Sequence, residues 1–533
     1  MYFHFWTVIS MVSKDGALKV LKVRRLPMDV VATQCDKPPG NQAEAPAGDD
    51  RRRPSVMAEQ WRRRRRRRWP WTSTSCNEDS DGRLHIFLAE LAAALGATSY
   101  GLSVGYSSPA LPDMRQRMPL TESQSSWFGS LLNIGALVGG LLGGQSIRYL
   151  GRRYTLLLSA VFHIAGWILI ATGTAVWMLL LGRTLTGLAT GVVALTVPVF
   201  VSEVSPKEIR GFLDTVCTMA ITFGILMAYV MGKWLHYDLL AAASIFPAVA
   251  MAIVLPLLAG SPRWLLQVGR QDSALRALQF YRGPDVAVEF GAMHEAVTAD
   301  ADSPLTLVEL ARPWVYKPFL CTLCAFFLQQ FSGIVVMLFY THDIFATAGT
   351  GLSAADSTIV VGAVQVVCVG LATQLTDRLG RRPLMLISLA VSGVSLVILG
   401  CFYHYKRTLG PSFVHSYGWL PLFSLCLYFL GFSVGLSPLP SILMGEMLPL
   451  RLKAVATSFL ISFYFFCGTL IAKEYNDMLA LVGEDGVYWF YAGFMAVGFV
   501  LTAAFLPETK GKTLEEIEEI FGSRRSQLEE SDD

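Results

Sequence analysis

Two motifs that occur twice, in the same order, constrain this chain more than any other feature of its sequence. A Gly-Arg-Arg motif follows one apolar segment at residues 151–153 and another at residues 380–382. After two further apolar segments, each half carries a box made of an acid, a proline and a base. The boxes are Glu203-Val-Ser-Pro206 followed by Arg210, and Glu446-Met-Leu-Pro449 followed by Lys453. Because both motifs repeat in matching order, they indicate an internally duplicated membrane domain.

The composition supports a membrane location. Hydrophobic residues make up 53% of the 533 residues, charged residues make up 16%, and the mean hydropathy is +0.45. An ordinary soluble domain carries about a quarter charged residues. The formal net charge is only +3, and residues 1–84 alone carry 17 Lys and Arg against 10 Asp and Glu. The rest of the chain is therefore slightly acidic, and we expect no nucleic-acid partner.

The apolar residues form about twelve segments of roughly twenty residues, the length that crosses the hydrocarbon core of a bilayer. We therefore expect an all-α membrane protein with twelve transmembrane helices in two six-helix pseudo-repeats. The segments lie near residues 86–108, 126–147, 154–172, 176–201, 212–234 and 239–259, then 316–340, 357–376, 383–402, 418–445, 454–477 and 487–507.

Basic residues gather in the loops that follow the even-numbered segments, as at Arg152, Arg263 and Arg381. Since Lys and Arg stay on the cytoplasmic side, we expect both termini in the cytosol, and the residues do not decide between the plasma membrane and an endomembrane. The predicted organisation is a disordered basic tail at 1–84, a six-helix half at 85–260, a cytoplasmic loop with short amphipathic helices at 261–315, a second half at 316–508 and a cytoplasmic tail at 509–533.

An unbroken run of arginines, Arg62 to Arg68, distinguishes the N-terminal tail. Blocks of like charge repel each other, so one interpretation is a solvated, disordered tail. A second is contact with anionic lipid, because basic residues are attracted to a negatively charged membrane surface. A third is that translation begins at Met57 and that residues 1–56 do not belong to the natural protein.

The cysteines do not indicate a metal site or a disulfide framework. Cys321 and Cys324 form a C-x-x-C motif, but no second pair stands at the spacing of a zinc site. Both lie in an apolar run, so we expect small buried residues. A nucleophile–base set and a nucleotide-binding glycine loop are not evident either, which disfavours an enzyme and ATP-driven transport. We expect no cofactor.

Three amides inside apolar segments are the candidate ligand contacts. Gln329 and Gln330 are adjacent in the seventh segment, and Gln365 lies in the eighth. An amide is costly to place against lipid, so these side chains are expected to face the interior of the bundle. Since an amide both donates and accepts hydrogen bonds, it suits a neutral ligand rich in hydroxyl groups. The alternative is that the amides hold neighbouring helices together.

The duplicated acids predict ion-pair clusters at the cytoplasmic surface. Glu203 and Glu446 each lie within reach of basic residues of their own half. We expect the clusters to hold the inner ends of the two halves together while the outer side is open. Breaking the ion pairs would then let the inner side open.

Several short motifs spread along the chain together match one known family. They are Gly151-Arg152-Arg153, Gly380-Arg381-Arg382, Gly182-Arg183, Pro198 with Glu203, Ser261-Pro-Arg-Trp264, Gln329-Gln330 with Ser332-Gly333, and Pro507-Glu-Thr-Lys-Gly511. With these motifs, the region from Glu90 to Phe521 resembles the sugar porters of the major facilitator superfamily. Residues 105–110 and 361–365 are most similar to class III facilitative hexose transporters, and insect trehalose transporters are similar too.

The resemblance implies a central hexose pocket that opens to each side of the membrane in turn as two halves rock. It places sugar-contacting positions on Gln329, Gln330, Gln365, Thr218, Val335, Ser441, Tyr464 and Phe465. The last five lack the amides and tryptophans of the family, so we expect a pocket that is larger, less polar or suited to a sugar other than glucose. The gating positions that it implies are Tyr340, Arg152, Arg153, Glu203, Arg210, Asp377, Arg381, Arg382 and Glu446.

The acidic residues near the first and fifth segments bear on the energy source for transport. Proton-coupled sugar porters resemble one another in having an acid within the first segment, whereas residues 91–109 contain none and Glu90 lies at the inner edge. Facilitated diffusion, or uniport, is therefore expected. Asp214 keeps proton symport open as an alternative. A sensor that binds sugar without moving it also fits the altered pocket and the basic tail.

Overall fold

The computed structural model describes the chain between Glu78 and Phe521, with gaps. The described backbone covers residues 78–118, 120–206, 209–284, 286–301, 313–349, 351–448, 453–510, 512, 516 and 520–521. Within these ranges the side chains are described from Leu84 on, except at 299–301, 314, 373–374, 376–377 and 453–454. The arginine run Arg62–Arg68 therefore lies outside the described residues.

The first half consists of helices that follow its apolar segments. They are α1 (Glu78–Gly105), α2 (Ser107–Arg117), α3 (Glu122–Leu150), α4 (Arg152–Ala171), α5 (Val176–Val204), α6 (Arg210–Gly232) and α7 (Tyr237–Val254). A capping box starts α3: the Thr121 hydroxyl accepts from the Gln124 N–H at 3.2 Å, and the Gln124 side chain accepts from the Thr121 N–H at 3.0 Å. The α3 helix ends at Gly151, whose φ of +78° favours glycine.

Short helices follow the first half in the polar break. They are α8 (Pro262–Gln267), α9 (Gln271–Arg282) and α10 (Ala287–Ala301). The α9 helix is amphipathic and turns its apolar face, which includes Leu278 and Tyr281, away from solvent. The Tyr281 hydroxyl donates to the Ala259 carbonyl at 2.6 Å, and the Phe280 ring stacks on His85 of α1. These contacts hold the α9 helix against one end of the first half.

The second half repeats the helical pattern. Its helices are α11 (Pro313–Phe331), α12 (Ile334–Phe339), α13 (Thr341–Ala348), α14 (Ala354–Leu379), α15 (Arg381–Leu409), α16 (Pro411–Tyr417), α17 (Leu420–Val434), α18 (Leu439–Met447) and α19 (Lys453–Phe505). The α19 helix is 53 residues long, and its Gly483 has non-helical φ and ψ angles of 75° and 173°.

Eleven helical stretches among the described residues are long and apolar enough to cross a membrane. The number differs from the expected twelve because the last two predicted segments fall within one stretch, Val455–Phe505. That stretch has 51 residues, well over the roughly twenty that one crossing needs.

The C-x-x-C pair corrects one expectation. Cys321 is only half-buried and Cys324 is exposed, so the prediction that both are buried was wrong. The two residues lie on α11 with Leu320, which is also exposed. In a membrane bundle the outward face of a helix is apolar as well, so an apolar run does not by itself predict burial in the protein.

The first long segment of each half is interrupted. Helices α1 and α2 meet at Tyr106, and helices α11 and α12 meet at Ser332 and Gly333, where Gly333 has a φ of +83°. A third interruption separates α17 from α18, and the Ser388 hydroxyl accepts the N–H of Leu436 there at 2.9 Å. Interrupted helices in corresponding positions of two repeats are typical of binding sites in secondary transporters.

Glycines join α3 and α5 backbone to backbone. A Cβ built on Gly135 or Gly139 would collide with backbone atoms of α5, and a Cβ on Gly187 or Gly191 would collide with backbone atoms of α3. Small residues at such spacing let membrane helices approach closely. These two helices therefore form one tightly interlocked pair.

The two halves meet along two seams, one between α3 and α19 and the other between α6 and α14. We call the end of the bundle that carries Gly151 and Gly380 the basic end, and the opposite end the distal end. Along the first seam, from the distal end inward, Asn476 donates to Ser126 at 2.8 Å, and Ser462 then donates to the Leu137 carbonyl at 3.4 Å. The two halves are thus in contact along this seam from the distal end to past the midpoint of α3.

Candidate functional site

The two adjacent amides of α11 are both buried inside the second half. Gln330 is 1% exposed, and its Nε2 donates to the Tyr464 carbonyl of α19 at 2.9 Å. Gln329 is 8% exposed, and its Nε2 donates to the Ser437 carbonyl at the α17–α18 interruption, at 3.3 Å. Both Oε1 atoms are buried and have no hydrogen-bond partner among the described residues. The NH2 group of each amide is thus held by a backbone carbonyl, and the amide oxygen remains able to accept a hydrogen bond.

The interruption of the seventh segment is supported by aromatic residues on neighbouring helices. A Cβ on Gly333 would lie 2.9 Å from Cδ2 of Tyr491, so only glycine fits this close approach. The Ser332 hydroxyl lies 3.0 Å from the Tyr428 hydroxyl. The Tyr491 hydroxyl is buried without a partner among the described residues. These contacts fix the backbone that carries the two glutamines.

A fourth amide lies in the first half and was missed by the sequence analysis. Asn133 of α3 is 5% exposed, and its Nδ2 has no partner among the described residues. It is an amide inside the apolar segment 126–147, the same kind of signal that identified Gln365. Gln365 of α14 is also buried and its Oε1 is also unpartnered. Unpaired buried polar atoms are rare in folded proteins, which makes these amides candidates for contact with a ligand.

The other predicted contact positions differ in their surroundings. Thr218 is half-buried, and its hydroxyl donates to the Asp214 carbonyl of its own helix at 3.1 Å. Val335 and Phe465 are buried, whereas Ser441 is exposed. The backbone carbonyl of Tyr464 holds Gln330, as described above. The structure therefore brings the backbone of Tyr464 to the amides.

An apolar layer lies on the basic side of the amides, across the first seam. Ala136 and Leu195 of the first half pack in one buried cluster with Ile461 and Phe465 of the second half. Leu137, which accepts the Ser462 hydroxyl, packs against the same cluster. This layer separates the amides from the basic end along that seam.

Tyr340 and its neighbours close the distal end. Its ring is 1% exposed and stacks on Tyr475 with centroids 4.6 Å apart, and its hydroxyl has no partner among the described residues. A Cβ on Gly129 of α3 would lie 3.4 Å from that hydroxyl. Tyr340 therefore lies between the halves, as its predicted gating role requires.

Ion pairs and hydrogen bonds join the distal ends of the two halves. Arg115 pairs with Asp343 at 3.2 Å, and Lys233 pairs with Asp356. The Ser108 hydroxyl accepts the backbone N–H of His342 at 3.1 Å. Burial raises the pKa of the Asp343 carboxyl above its usual value, and the charge of the nearby Arg115 offsets only part of this effect. The structure is therefore closed at its distal end.

The duplicated acids form a matching cluster in each half. Arg152 pairs with Glu203 at 2.6 Å, and Arg381 pairs with Glu446 at 2.7 Å. A carboxylate oxygen of Glu203 also accepts the Ser261 hydroxyl. Each of these ion pairs lies within one half, so neither pair by itself joins the basic ends of the two halves.

The remaining predicted gating residues lie around these clusters. Arg153 donates to the carbonyls of Leu258 and Pro256 at 2.6 and 2.9 Å. The backbone N–H of Arg382 donates to Glu508 at 3.1 Å. Arg210 is exposed at the start of α6, and the side chain of Asp377 lies outside the described residues.

Two buried charged groups occupy the first half away from these clusters. Arg183 of α5 donates to the Ser103 carbonyl at 2.7 Å and to the Ser107 hydroxyl, beside the interruption at Tyr106. Glu90 of α1 is 8% exposed, and its carboxyl accepts the Cys217 thiol at 3.3 Å. The guanidinium of Arg183 therefore supplies hydrogen bonds to a carbonyl and a hydroxyl near the junction of α1 and α2. Among the described residues it makes no ion pair with a carboxylate.

Comparisons with known proteins agree on one family. The family model described as "Sugar (and other) transporter" matches residues 74–521. A facilitated trehalose transporter from Culex quinquefasciatus is 38% identical, over 81% of this chain and 84% of that protein. The solute carrier family 2, facilitated glucose transporter member 8, from Bos taurus is 36% identical, over 82% of this chain and 95% of that protein.

A solved structure of a more distant protein shares the fold. The proton:xylose symporter XylE, bound to 6-bromo-6-deoxy-D-glucose, superposes with a TM-score of 0.69 and 23% identity, covering 83% of this chain and 100% of that chain. At that identity the likeness shows the major facilitator fold alone. The match of the family model and of the relatives covers both halves, and the expectation that the chain is not an enzyme is confirmed by the family. The chain belongs to the sugar transporter family and is a multi-pass membrane protein of the major facilitator fold.

Proposed function

We propose that this protein carries a hexose-type sugar across a membrane by alternating access, without coupling to an ion. The observation that carries the proposal is the set of buried amides with free hydrogen-bonding atoms on Gln329, Gln330 and Gln365. A sugar hydroxyl both donates and accepts, so it can pair with these atoms that have no other partner. The relatives named above carry "trehalose" and "glucose" in their names, which supports a sugar of this class.

The proposed topology has twelve crossings with the basic end in the cytosol. The interruption at Gly483 supports two crossings within α19, because it divides a stretch that is too long for one. The arginines at 152–153 and 381–382 support the orientation, since Lys and Arg remain on the cytoplasmic side. On this topology residues 85–260 and 316–508 are the two halves, 261–315 is a cytoplasmic loop, and residues 1–84 and 509–533 are cytoplasmic tails.

The proposed transport cycle uses one gate at each end. The distal gate consists of Tyr340 and the Arg115–Asp343 pair, both of which lie between the halves. At the basic end we assign gating to the Glu203 and Glu446 clusters, together with Arg153, Arg210, Asp377 and Arg382. The remaining candidate contacts, Thr218, Val335, Ser441, Tyr464 and Phe465, would then shape the pocket with few hydrogen bonds of their own.

Uniport is favoured by the partners of the buried charges. Arg183 pairs with a hydroxyl and a carbonyl, so no carboxylate beside it changes charge when a proton binds. The relatives' printed names include the word "facilitated", which supports the same mode. Proton symport is the second candidate, and the buried Glu90 beside Cys217, with Asp214 one turn away, is the observation that favours it.

The arginine run Arg62–Arg68 supports a contact between the tail and anionic lipid. Each basic residue near a negatively charged membrane surface contributes about 1 kcal/mol of attraction. Binding of a peptide of residues 57–84 to vesicles with and without anionic lipid tests this contact. Equal binding to both vesicle types would contradict it.

Uptake into proteoliposomes tests the proposed function. Purified protein is supplied with labelled glucose, fructose or trehalose, with and without an imposed pH gradient. We expect one sugar to equilibrate at a rate that does not depend on the gradient. Accumulation above equilibrium with the gradient would establish symport instead, and sugar binding without flux would establish a sensor.

A further inference from the structure

Two amides from opposite halves face each other across Gly468. A Cβ built on Gly468 of α19 would lie 2.9 Å from Nε2 of Gln330 and 3.3 Å from Cγ and Oδ1 of Asn133. Asn133 belongs to α3 of the first half, and Gln330 belongs to α11 of the second half. Gly468 therefore lets the two amides lie side by side, because a larger residue at this position would collide with both.

The free atoms of the two amides are complementary. Asn133 keeps a donor, because its Nδ2 has no partner among the described residues. Gln330 keeps an acceptor, because its Nε2 is engaged by Tyr464 while its Oε1 has no partner among the described residues. A single hydroxyl group accepts one hydrogen bond and donates another, so it satisfies both atoms at once.

The depth of this position suits a bound ligand. Asn133 lies one turn from Gly129, which approaches the Tyr340 hydroxyl at the distal gate. On the other side, Ala136 begins the apolar layer with Ile461 and Phe465. The amide pair therefore lies between the distal gate and the apolar layer of the basic side. Both amides are more than nine-tenths buried, at 5% and 1% exposure.

We propose that the free donor of Asn133 and the free acceptor of Gln330 share one hydroxyl of the transported sugar, which makes Asn133 a specificity-determining residue of the first half. The inference rests on the proposed function. It assigns to the first half a direct sugar contact beside Gln330. A hydroxyl held by both halves also links them, so the same contact favours closure around the sugar.

The test is transport of glucose and its monodeoxy analogues by the wild-type protein and by Asn133→Ala in proteoliposomes, with trehalose in place of glucose if only trehalose is carried. A neutral hydrogen bond is worth about two- to tenfold in the half-saturating concentration. We expect Asn133→Ala to raise this concentration by that factor for the parent sugar. We expect no further rise for the one analogue that lacks the shared hydroxyl, because wild-type protein has already lost the contact with it.

Two further variants keep the outcome clear. Ser130→Ala is the matched control, because Ser130 is buried on the same helix and its hydroxyl already donates to the Ser126 carbonyl at 2.7 Å. It should leave transport unchanged. Asn133→Leu keeps the approximate size of the side chain and removes its free donor, so it should raise the half-saturating concentration even if Asn133→Ala does not fold.

Each negative result has its own meaning. Unchanged half-saturation in a folded Asn133→Ala, or an equal rise for every analogue, would overturn the shared hydroxyl while leaving transport by wild-type protein intact. Unchanged half-saturation in a folded Asn133→Leu would do the same. Wild-type protein that moves no sugar would overturn the proposed function, and this inference with it.

Discussion

Ser261 and Thr509 occupy equivalent positions in the two halves, 248 residues apart along the chain. The Ser261 hydroxyl donates to Glu203 at 2.5 Å, and the Thr509 hydroxyl donates to Glu446 at 2.7 Å. The other oxygen of each carboxylate pairs with the first arginine of the preceding Gly-Arg-Arg motif. The internal duplication thus extends beyond the motifs visible in the sequence to the hydroxyl that completes each cluster.

The two clusters differ in burial, which predicts unequal effects of the same substitution. In the first half, the Arg152 and Glu203 side chains are 8% and 9% exposed; in the second half, the Arg381 and Glu446 side chains are 14% and 29% exposed. Removing one partner of a buried pair costs about 3–5 kcal/mol, because the other charge stays buried. Glu203→Gln should therefore lower the melting temperature more than Glu446→Gln does. An equal or larger decrease for Glu446→Gln, measured in the same detergent, would contradict this prediction.

The stability of the second half should depend on Glu508 and on pH. Burial acts to raise the pKa of Glu508, but the backbone N–H groups of Arg381, Lys510 and Arg382 and the charge of Arg381 lower it below its usual value of 4.5. A lowered pKa in the folded state stabilises the protein above pH 4.5, and that stabilisation disappears as the pH falls through the folded pKa. Glu508→Gln should therefore melt at a lower temperature than wild-type protein at pH 7.

The difference between Glu508→Gln and wild-type protein should shrink as the pH falls below 4.5. Thermal unfolding between pH 7 and pH 3 measures it. A difference that stays constant over this range would show that the carboxylate charge does not act through these N–H groups. Glu295→Gln, at an exposed residue of α10, serves as the control for a general change of charge.

The Arg115–Asp343 pair should control opening of the distal end. Both side chains are 29% exposed, and an exposed ion pair contributes about 0.2–1 kcal/mol, or about a 1.4- to fivefold shift in an equilibrium. Arg115→Glu should increase distal opening, and the charge-swapped double variant Arg115→Glu with Asp343→Arg should restore it. The rate at which an impermeant thiol reagent labels a cysteine at Ser126, which is buried at the distal part of the first seam, measures the opening.

The control for this experiment is an ion pair that lies within one half. Arg117 pairs with Asp113 on the same helix at 3.0 Å. Arg117→Gln should leave the labelling rate unchanged, because the pair does not join the halves. If Arg117→Gln and Arg115→Glu gave the same increase, the distal contact would not be the cause.

The interlocked glycines should tolerate no methyl group. A Cβ on Gly139 would collide with the backbone of Leu188, and neither backbone can move without separating α3 from α5. Overpacking of this kind typically costs about 1–3 kcal/mol. Gly139→Ala should therefore lower the melting temperature and the yield of monodisperse protein. Gly493→Ala is the control, because a Cβ there meets no atom within 4 Å and alanine favours a helix.

The sequence predicted the parts of this structure that follow from local patterns. The apolar segments predicted the helices, and the isolated amides predicted the buried polar atoms of Gln329, Gln330 and Gln365. Asn133 carries the same signal and was overlooked, because it belongs to none of the motifs that carry the family resemblance. The pattern that identifies a polar residue in an apolar segment is therefore more general than the family motif.

Contacts between distant segments could not be predicted from the sequence in this way. Arg115 and Asp343 are 228 residues apart, and neither residue stands out from the other charged residues of the sequence. The partner of Glu203 was expected among the basic residues of its half, and Arg210 in the same box was a candidate. The structure pairs Glu203 with Arg152 instead and leaves Arg210 exposed. Pairing of this kind depends on how helices are placed in space.

The interlocked backbones of α3 and α5 determine how the first half can move. Because the α3 helix also forms the seam with α19, a displacement at that seam is transmitted directly to α5 and to Arg183 within it. The α3 and α5 helices must therefore move together as one rigid pair. A sugar bound to Asn133 would act on both helices at once.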